Sequence, residues 1–444
     1  MVGSEGSFAA HARQFEQARQ VLAGGVSASL RVNHAVNHPV YMERADGPFL
    51  FDTSGRQFID LSLSNGAAIL GHRHPALLDA LDAVRERGFL TATESPDHAR
   101  LAETLVALIP SAERVRFSTT GVEATMLATR VARSLTGRPA LVKFEGHFHG
   151  LYDAFMYNQH LPLAAPDAAP TPESAGLIGA PGQTVVLPWN DRAAVERALD
   201  EQGDRVAAVI CEPINYNSGC IPPAPGFLQF LREATGARGI VLIFDEVLSG
   251  FRMGVGGAQA YYGVTPDIST LAKALAGGVP LSATVGSADA MAPVSAGRAA
   301  HSGTYSGHLL GVLAARATLD VLAAPGTYER LNADADWFYS ELQAALNRAG
   351  LRARVQGIGA RFGIYVGVDP DRPILTYAQA SAHDSARYNR FIAAALARGV
   401  YIHSYGKTYA PGHAGISVVH TREVLAETLE RLAAAAADCA GGAA

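Results

Sequence analysis

The chain has 444 residues, of which 48% are hydrophobic and 17% are charged, and its formal net charge is −5. This length favours two or more domains with a large core, and the lack of a basic stripe argues against nucleic-acid binding. No stretch reaches transmembrane length, the N-terminus lacks a signal-peptide pattern and the three cysteines are unclustered, so we expect a cytoplasmic protein that contacts no membrane.

Residues 1–65 have the pattern of one helix followed by short strands. Apolar residues recur at helical spacing over residues 8–23, and the Gly-Gly pair that follows is typical of a helix end. Apolar and polar residues then alternate over residues 39–63, as they do in antiparallel hairpins. We therefore predict an N-terminal helix and β segment, with Arg31 among small residues between the two.

Residues 66–315 alternate helical periodicity, as at 74–84 and 96–108, with short buried-looking runs. The runs that predict strands are 114–117, 140–144, 184–187, 206–211, 240–244 and 267–271. This alternation predicts a doubly wound parallel sheet in a large α/β domain. The loop over residues 150–183 is too long for an ordinary connection, so we expect it to cover an active site or to contact another subunit.

Residues 316–444 are predicted to form a smaller α+β domain that packs with the N-terminal segment. Its predicted helices are 328–349, 385–398 and 422–438, and its predicted strands are 362–368, 400–402 and 416–419.

The run over residues 240–244 ends abruptly in Asp245, as a buried strand does where it reaches the rim of a sheet. Further on, Lys273 lies between two alanines, and only three of the 36 basic side chains are lysines. Burial favours a neutral amine that can react with an aldehyde, and a carboxylate can keep the ring nitrogen of a pyridine-type cofactor protonated. Alternatively, Asp245 is a simple cap and Lys273 lies on the surface.

Residues 117–130 place a strand end, a Ser-Thr-Thr-Gly turn and a helix start in succession. Backbone amides and the helix dipole make such a turn suitable for a phosphate. A plain helix cap by Thr119 or Thr120 explains the same residues.

Phe148 follows the strand at 140–144 and could stack on a flat cofactor ring. The nearby His147 and His149 could suggest a metal, but no third ligand has suitable spacing, so we expect no metal.

Arg31 is the best candidate for binding a substrate carboxylate, because a guanidinium can bind both oxygens; a surface arginine is the alternative. Residues 301–307 form a second cluster of hydroxyl and glycine residues, which fits either a further phosphate contact or a turn.

Seven motifs in this chain occur in one order that resembles class III aminotransferases, in particular the branch of glutamate-1-semialdehyde aminomutase and the β-amino-acid aminotransferases. The motifs are GGV…R (24–31), TTGVEA (119–124), KFEGHFHG (143–150), CEPI (211–214), IFDEV (243–247), TLAKALAGGVP (270–280) and HSGTYSG (301–307). The resemblance covers residues 24–420.

The resemblance implies a fold-type I pyridoxal 5′-phosphate (PLP) enzyme with a mostly parallel sheet, acting as a homodimer on small-molecule amines and carbonyl compounds. It implies that Lys273 forms the Schiff base and that Asp245 pairs with the pyridinium nitrogen. The remaining implied roles are phosphate binding by Thr120, Gly121 and Val122, ring stacking by Phe148, contact with the neighbouring subunit's phosphate by Thr304, and carboxylate binding by Arg31.

Two positions depart from the family pattern. The family usually has Ser-Gly-Thr where this chain has Thr120-Gly121-Val122, which removes one hydroxyl that Thr119 could replace. Tyr405 aligns with an arginine that binds the acceptor's carboxylate in β-amino-acid enzymes, and Lys407 is near but shifted, which puts the usual oxo-acid acceptor in doubt.

The resulting prediction is an aminotransferase that moves an amino group from a carboxylate-bearing amine, such as a β-amino acid, to a carbonyl acceptor through an aldimine on Lys273. The alternatives are a 2,1-aminomutase of the glutamate-1-semialdehyde type and a non-catalytic PLP-binding protein.

Overall fold

The computed structural model describes residues 4–165, 168–177, 183–406 and 410–440. The strands in chain order are β1 Met42–Asp46, β2 Phe49–Asp52, β3 Gln57–Asp60, β4 Arg114–Ser118, β5 Ala140–Phe144, β6 Thr184–Leu187, β7 Val206–Cys211, β8 Val241–Glu246, β9 Ile268–Leu271, β10 Ser282–Gly286, β11 Ala353–Ile358, β12 Arg361–Val366, β13 Val400–Tyr401 and β14 Ala414–Gly415.

The large sheet has seven strands in the order β4-β10-β9-β8-β7-β5-β6. Strands β6, β5, β7, β8 and β9 are parallel, and β10 runs antiparallel to both of its neighbours, β9 and β4. Every residue of β5, β7 and β8 is buried, as expected for strands covered on both faces by helices. The predicted α/β fold with a mostly parallel sheet is confirmed.

Strand β10 was not predicted from the sequence. Its residues, Ser-Ala-Thr-Val-Gly, lack the apolar run of the other strands although all five are buried. The hydroxyls of Ser282 and Thr284 donate to the carbonyls of Thr120 and Ala124, at 2.7 and 3.1 Å, in the turn and helix beside the sheet. Hydrogen bonding to a neighbouring element therefore makes this polar strand stable in the core.

The predicted helices are present with similar bounds, apart from the first, whereas the helices at 192–202, 227–236, 257–262, 292–295 and 377–381 were not individually predicted. The helices are Ser4–Ala18, Pro75–Arg87, Pro96–Leu108, Gly121–Thr136, Arg192–Gln202, Phe227–Gly236, Gly257–Tyr262, Ala292–Ser295, Leu309–Leu322, Thr327–Arg348, Tyr377–Ser381, Ser385–Ala397 and Arg422–Ala440. The first helix ends at Ala18 rather than at residue 23, and Val21, which contributed to the predicted apolar face, is 85% exposed.

A four-stranded sheet, in the order β1-β2-β3-β13, joins the two ends of the chain, because β13 pairs in parallel with β3. Strands β11, β12 and β14 form a separate antiparallel sheet. The predicted strand at 416–419 is wrong: the pairing with β12 involves Ala414–Gly415, and the amides of Ile416 and Val418 instead donate to Ala360 and Ile69. The boundaries of the three predicted domains stay predictions.

Within the described residues, no single helix has the length and hydropathy of a membrane span. The pair Leu309–Leu322 and Thr327–Arg348 meets those criteria only when joined across a 75° bend.

The long loop is tied to the large sheet where the structure describes it. The buried Lys143 ammonium, on β5, donates to the carbonyls of Phe155 and Tyr157 at 3.1 and 2.7 Å. Glu173, within the loop, accepts from the backbone amides of His160 and Leu161. The loop's role as a cover stays a prediction.

Candidate functional site

A cavity of about 410 Å³ opens where the parallel strands end at their carboxyl termini. This is the usual ligand position in an open α/β sheet. The cavity is lined by Ala67, Thr119, Thr120, Gly121, Val122, Thr125, Phe148, His149, Gly150, Leu151, Glu212, Asn217, Asp245, Val247, Leu248, Ala272, Lys273, Gly278, Val279, Pro280 and Leu281. Six of the eight predicted site residues are therefore brought together from four separate segments of the chain.

Asp245 lies near the end of β8 and is 3% exposed. One carboxylate oxygen accepts from the Val247 amide and the Thr270 hydroxyl, both at 3.0 Å. The other oxygen lies 2.7 Å from Nδ1 of the buried His149. These contacts hold a negative charge in a fixed orientation at the cavity wall. They also show that His149, which the sequence analysis considered with His147 as a possible metal ligand, contacts the Asp245 carboxylate instead.

Lys273 lies two residues beyond β9, with a backbone φ of +48°. A left-handed conformation is unfavourable for a side chain other than glycine, and its persistence marks a constrained position. Burial lowers the pKa of the Lys273 ammonium. The charges of Glu212 and Asp245 oppose this lowering, whereas those of Arg252 and Arg361 add to it. The result is an amine with a greater neutral fraction than an exposed lysine has.

The helix Gly121–Thr136 begins with a reciprocal cap. The Thr120 hydroxyl accepts from the Glu123 amide at 3.4 Å, and the Glu123 carboxylate accepts from the amides of Thr119 and Thr120 at 2.9 and 2.7 Å. The first amides of a helix have no acceptor within it. This arrangement leaves the amides of Gly121 and Val122, both at the cavity, for a bound anion. The alternative that Thr120 caps the helix is confirmed, and the cap is compatible with phosphate binding by the two free amides, which stays a prediction.

Phe148 is half-buried at the cavity, and its amide donates to Glu212 Oε1 at 2.9 Å. Glu212 follows β7 and was not predicted as a site residue; its other oxygen accepts from the side chain of Asn217, also at 2.9 Å. Burial and the charge of Asp245 raise the pKa of the Glu212 carboxyl. The strand-end rule that identified Asp245 would have identified Glu212 as well, since Glu212 also follows an apolar run.

Arg31 and Thr304 lie away from this cavity. Arg31 is exposed at the end of a short 3-10 turn and lines a second cavity of about 570 Å³, together with Asp60, Asn65 and His403. Thr304 is exposed and lines neither cavity. Tyr405 donates to Asn65 at 2.8 Å, and Lys407 lies outside the described residues.

The fold is that of a class III aminotransferase. The family model for aminotransferase class-III matches residues 31–435, and the chain belongs to that family.

Its similarity to individual relatives extends over nearly the whole chain. It is 38% identical, over 96% of its own length and 98% of the relative's, to a glutamate-1-semialdehyde 2,1-aminomutase from Thermomicrobium roseum. Among solved structures, an omega-transaminase from Sphaerobacter thermophilus superposes with a TM-score of 0.89 at 33% identity, covering 97% of this chain and 98% of that one. A transaminase with PLP bound superposes with a TM-score of 0.86 at 28% identity, covering 99% of each chain. The protein is an enzyme, and PLP is its cofactor.

The cavity residues fit this cofactor. The phosphate matches the free amides of Gly121 and Val122 at the helix start, the ring nitrogen matches the Asp245 carboxylate, and the aldehyde matches the Lys273 amine. The individual roles of the eight predicted site residues, Lys273, Asp245, Thr120, Gly121, Val122, Phe148, Thr304 and Arg31, stay predictions.

Proposed function

We propose that the protein is an aminotransferase that takes the amino group of a carboxylate-bearing amine, such as a β-amino acid, and passes it to a carbonyl acceptor. The observation that carries this proposal is the position of the Lys273 amine in the same cavity as the Asp245 carboxylate, which three hydrogen-bond contacts hold in place. Family membership supports the reaction type, and similarity to an omega-transaminase supports an amine other than a common α-amino acid.

When bound, PLP supplies an aldehyde that condenses with amines and a pyridinium ring that withdraws electrons from the amine-bearing carbon. Asp245 would keep the ring nitrogen protonated, and His149 would orient the carboxylate from behind. Lys273 would hold the cofactor's aldehyde, and its Nζ would be the base that moves the proton of the amine-bearing carbon. The lowered pKa of Lys273 suits this task, since a base must be neutral before it accepts a proton.

Arg31 would bind the carboxylate of the amine donor in the second cavity. That cavity combines the Arg31 guanidinium with apolar side chains such as Leu30, Val40 and Leu50. An apolar wall beside one positive charge fits an amine that carries both a hydrocarbon group and a carboxylate.

A homodimer is also part of the proposal. Leu151 lines the cavity yet is 70% exposed, and Tyr305, beside Thr304, is 64% exposed. Apolar side chains this exposed beside a cavity fit a surface that a second copy covers. Analytical ultracentrifugation should give twice the 46.5 kDa chain mass, and a monomer that retains full activity would contradict the proposal.

Borohydride reduction of the PLP-loaded protein tests the role of Lys273. We expect the cofactor to be fixed to the peptide that contains residue 273 and not to those that contain Lys143 or Lys407, the other lysines of the chain. Lys273→Ala should bind PLP but fail to change its absorbance when amines are added. An adduct on another lysine, or full turnover by the variant, would refute the assignment.

A 2,1-aminomutase is the second candidate, because the curated relative with 38% identity carries that name. A mutase returns the amino group to the same molecule and needs no acceptor. Repeated turnover of glutamate 1-semialdehyde without any added oxo acid would favour the mutase, whereas a single turnover that resumes on adding an acceptor would favour the aminotransferase.

A further inference from the structure

Two arginine side chains lie buried together behind the wall of the site. Arg252 is 1% exposed and Arg361, the first residue of β12, is 0% exposed. Burial lowers the pKa of both guanidinium groups, and the charge of Arg361 lowers that of Arg252 further. No carboxylate forms an ion pair with either arginine in the part of the chain that the structure describes. A buried charge without a counter-charge is costly, so its retention calls for an explanation.

The hydrogen bonds of these arginines go to backbone carbonyls and to a histidine. Arg252 donates to Leu248 O at 2.8 Å and to Gly66 O, while Arg361 donates to Ser62 O at 3.4 Å and contacts His413. Nε of Arg361 has no partner from the described ranges. Part of the donor capacity of the Arg361 guanidinium is therefore used weakly or not at all.

Among the described residues, no neighbouring acid forms a direct ion pair with either arginine. Asp60 is the acid whose charge acts on Arg361, but its oxygens already accept from the amides of Ser62 and Leu63 and lie against His72. Burial raises the pKa of the Tyr405 hydroxyl to about 12, so it is neutral. Burial and the arginines lower the pKa of His413, so it is neutral as well.

Gly66 lies against both arginines and adjoins residues that line the two cavities. A Cβ atom at this position would lie 3.2 Å from Arg252 Nη2 and 3.6 Å from Arg361 Cζ. The adjoining Ala67 lines the cavity of Lys273, and Asn65 lines the cavity of Arg31. The charges of both arginines also lower the pKa of Lys273, after the larger effect of burial.

The separating turn is strained. Leu63, Ser64 and Asn65 each have a φ of +54°, and Gly66 has a φ of +86°. Successive left-handed residues are unfavourable for L-amino acids. The carbonyls of Ser62 and Gly66, at the two ends of this turn, accept the arginine hydrogen bonds. A carboxylate is a stronger hydrogen-bond acceptor than a carbonyl. A bound carboxylate would therefore replace the two carbonyls as the acceptor of the arginine hydrogen bonds and allow the turn to relax.

We propose that Arg361 and Arg252 bind the carboxylate of the acceptor, a 2-oxo acid, when the turn at residues 63–66 moves aside. This inference rests on the proposed aminotransferase function. In a 2-oxo acid the carboxylate is bonded directly to the reacting carbonyl carbon, so its binding site must be close to Lys273. The carboxylate of a β-amino acid is one carbon further from its reacting carbon, which suits Arg31 in the second cavity. The chain would thus bind its two substrates through different arginines.

The test uses the enzyme loaded with pyridoxamine 5′-phosphate, so no amine donor needs to be known. Absorbance after mixing with pyruvate, or with propanal, which lacks the carboxylate, gives a second-order rate constant for each acceptor. We expect wild type to prefer pyruvate. Arg361→Gln should lower the pyruvate constant about 10- to 100-fold, the effect of losing a charged hydrogen bond, and change the propanal constant less than about threefold.

Two further variants separate binding from packing. Arg361→Lys keeps the positive charge but loses the planar guanidinium that can donate two parallel hydrogen bonds. Its rate constant for pyruvate should therefore fall by less than that of Arg361→Gln. Arg354→Gln is the matched control, because Arg354 lies on the adjacent strand β11, donates to Pro370 O at 2.9 Å and also has an unpartnered buried Nε among the described residues. It should leave both constants unchanged.

Equal losses with pyruvate and propanal in Arg361→Gln would overturn the inference and assign Arg361 a packing role. A wild type that reacts with propanal as readily as with pyruvate would overturn it without any variant. The proposed function fails separately: in that case no amine converts the PLP-loaded enzyme to its aminated form.

Discussion

Replacing Asp245 with Asn tests the electrostatic centre of the site. The substitution keeps the shape of the side chain, and the oxygen that accepts from the Val247 amide and the Thr270 hydroxyl can remain in place. What is lost is one negative charge in a buried position. The fold should therefore survive while the cofactor loses the group that keeps its ring nitrogen protonated.

The attraction between a carboxylate and a protonated ring nitrogen at hydrogen-bond distance sets the scale of this loss. At about 2.7 Å, a unit charge pair contributes about 6 kcal/mol when the effective dielectric constant is about 20. A free energy of that size corresponds to a decrease in rate of at most about four powers of ten. We expect Asp245→Asn to slow the reaction with an amine by about 10³- to 10⁴-fold.

The assay is stopped-flow absorbance of the PLP-loaded enzyme mixed with an amine that wild type accepts. Thermal unfolding and the cofactor content are measured in parallel, and the unfolding temperature should fall by only a few degrees. A rate within about tenfold of wild type, with cofactor bound, would refute the role of Asp245. A variant that is unfolded would refute the claim that shape alone maintains this part of the core.

Three further predictions concern Lys143, Thr120 and Arg31. Burial lowers the pKa of Lys143 from 10.5 to about 7. Between pH 7 and pH 10.5 the unfolded chain therefore binds a proton at Lys143 that the folded chain lacks. The contribution of Lys143 to the free energy of unfolding accordingly rises with pH. In urea unfolding, the free energy of unfolding of wild type minus that of Lys143→Met should increase by about 2 kcal/mol from pH 7 to pH 9. An unchanged difference would contradict this prediction. Thr120→Ala should lower the free energy of unfolding by about 1 kcal/mol, because the helix cap is lost, and should weaken PLP binding several-fold by equilibrium titration. Thr104→Ala, a control in the middle of another helix, should leave the PLP affinity unchanged. Arg31→Gln should raise KM about 10- to 100-fold for a β-amino acid but not for 1-phenylethylamine, and equal effects on both would exclude carboxylate binding.

Glu212 shows how a local signal can be present but unused. It follows an apolar strand, as Asp245 does, and the structure brings both to one cavity with Lys273. The buried Arg361 has no such signal. It immediately precedes the predicted strand at 362–368, where an arginine is typical of an exposed strand end, and its burial depends on contacts with Ser62 and His413.

The sequence by itself determined the α/β class and the bounds of several helices, and its motifs predicted six residues that the structure brings to one cavity. These features depend on periodicity and on the order of strand, turn and helix, which are properties of neighbouring residues. The tertiary structure decided which segments share a surface. It placed β10 in the core through hydroxyl bonds to the next helix, joined the chain ends through β13, and assigned Arg31 to a cavity separate from that of Lys273. Long-range packing and hydrogen bonding set these relations, and they leave no periodic trace in the chain.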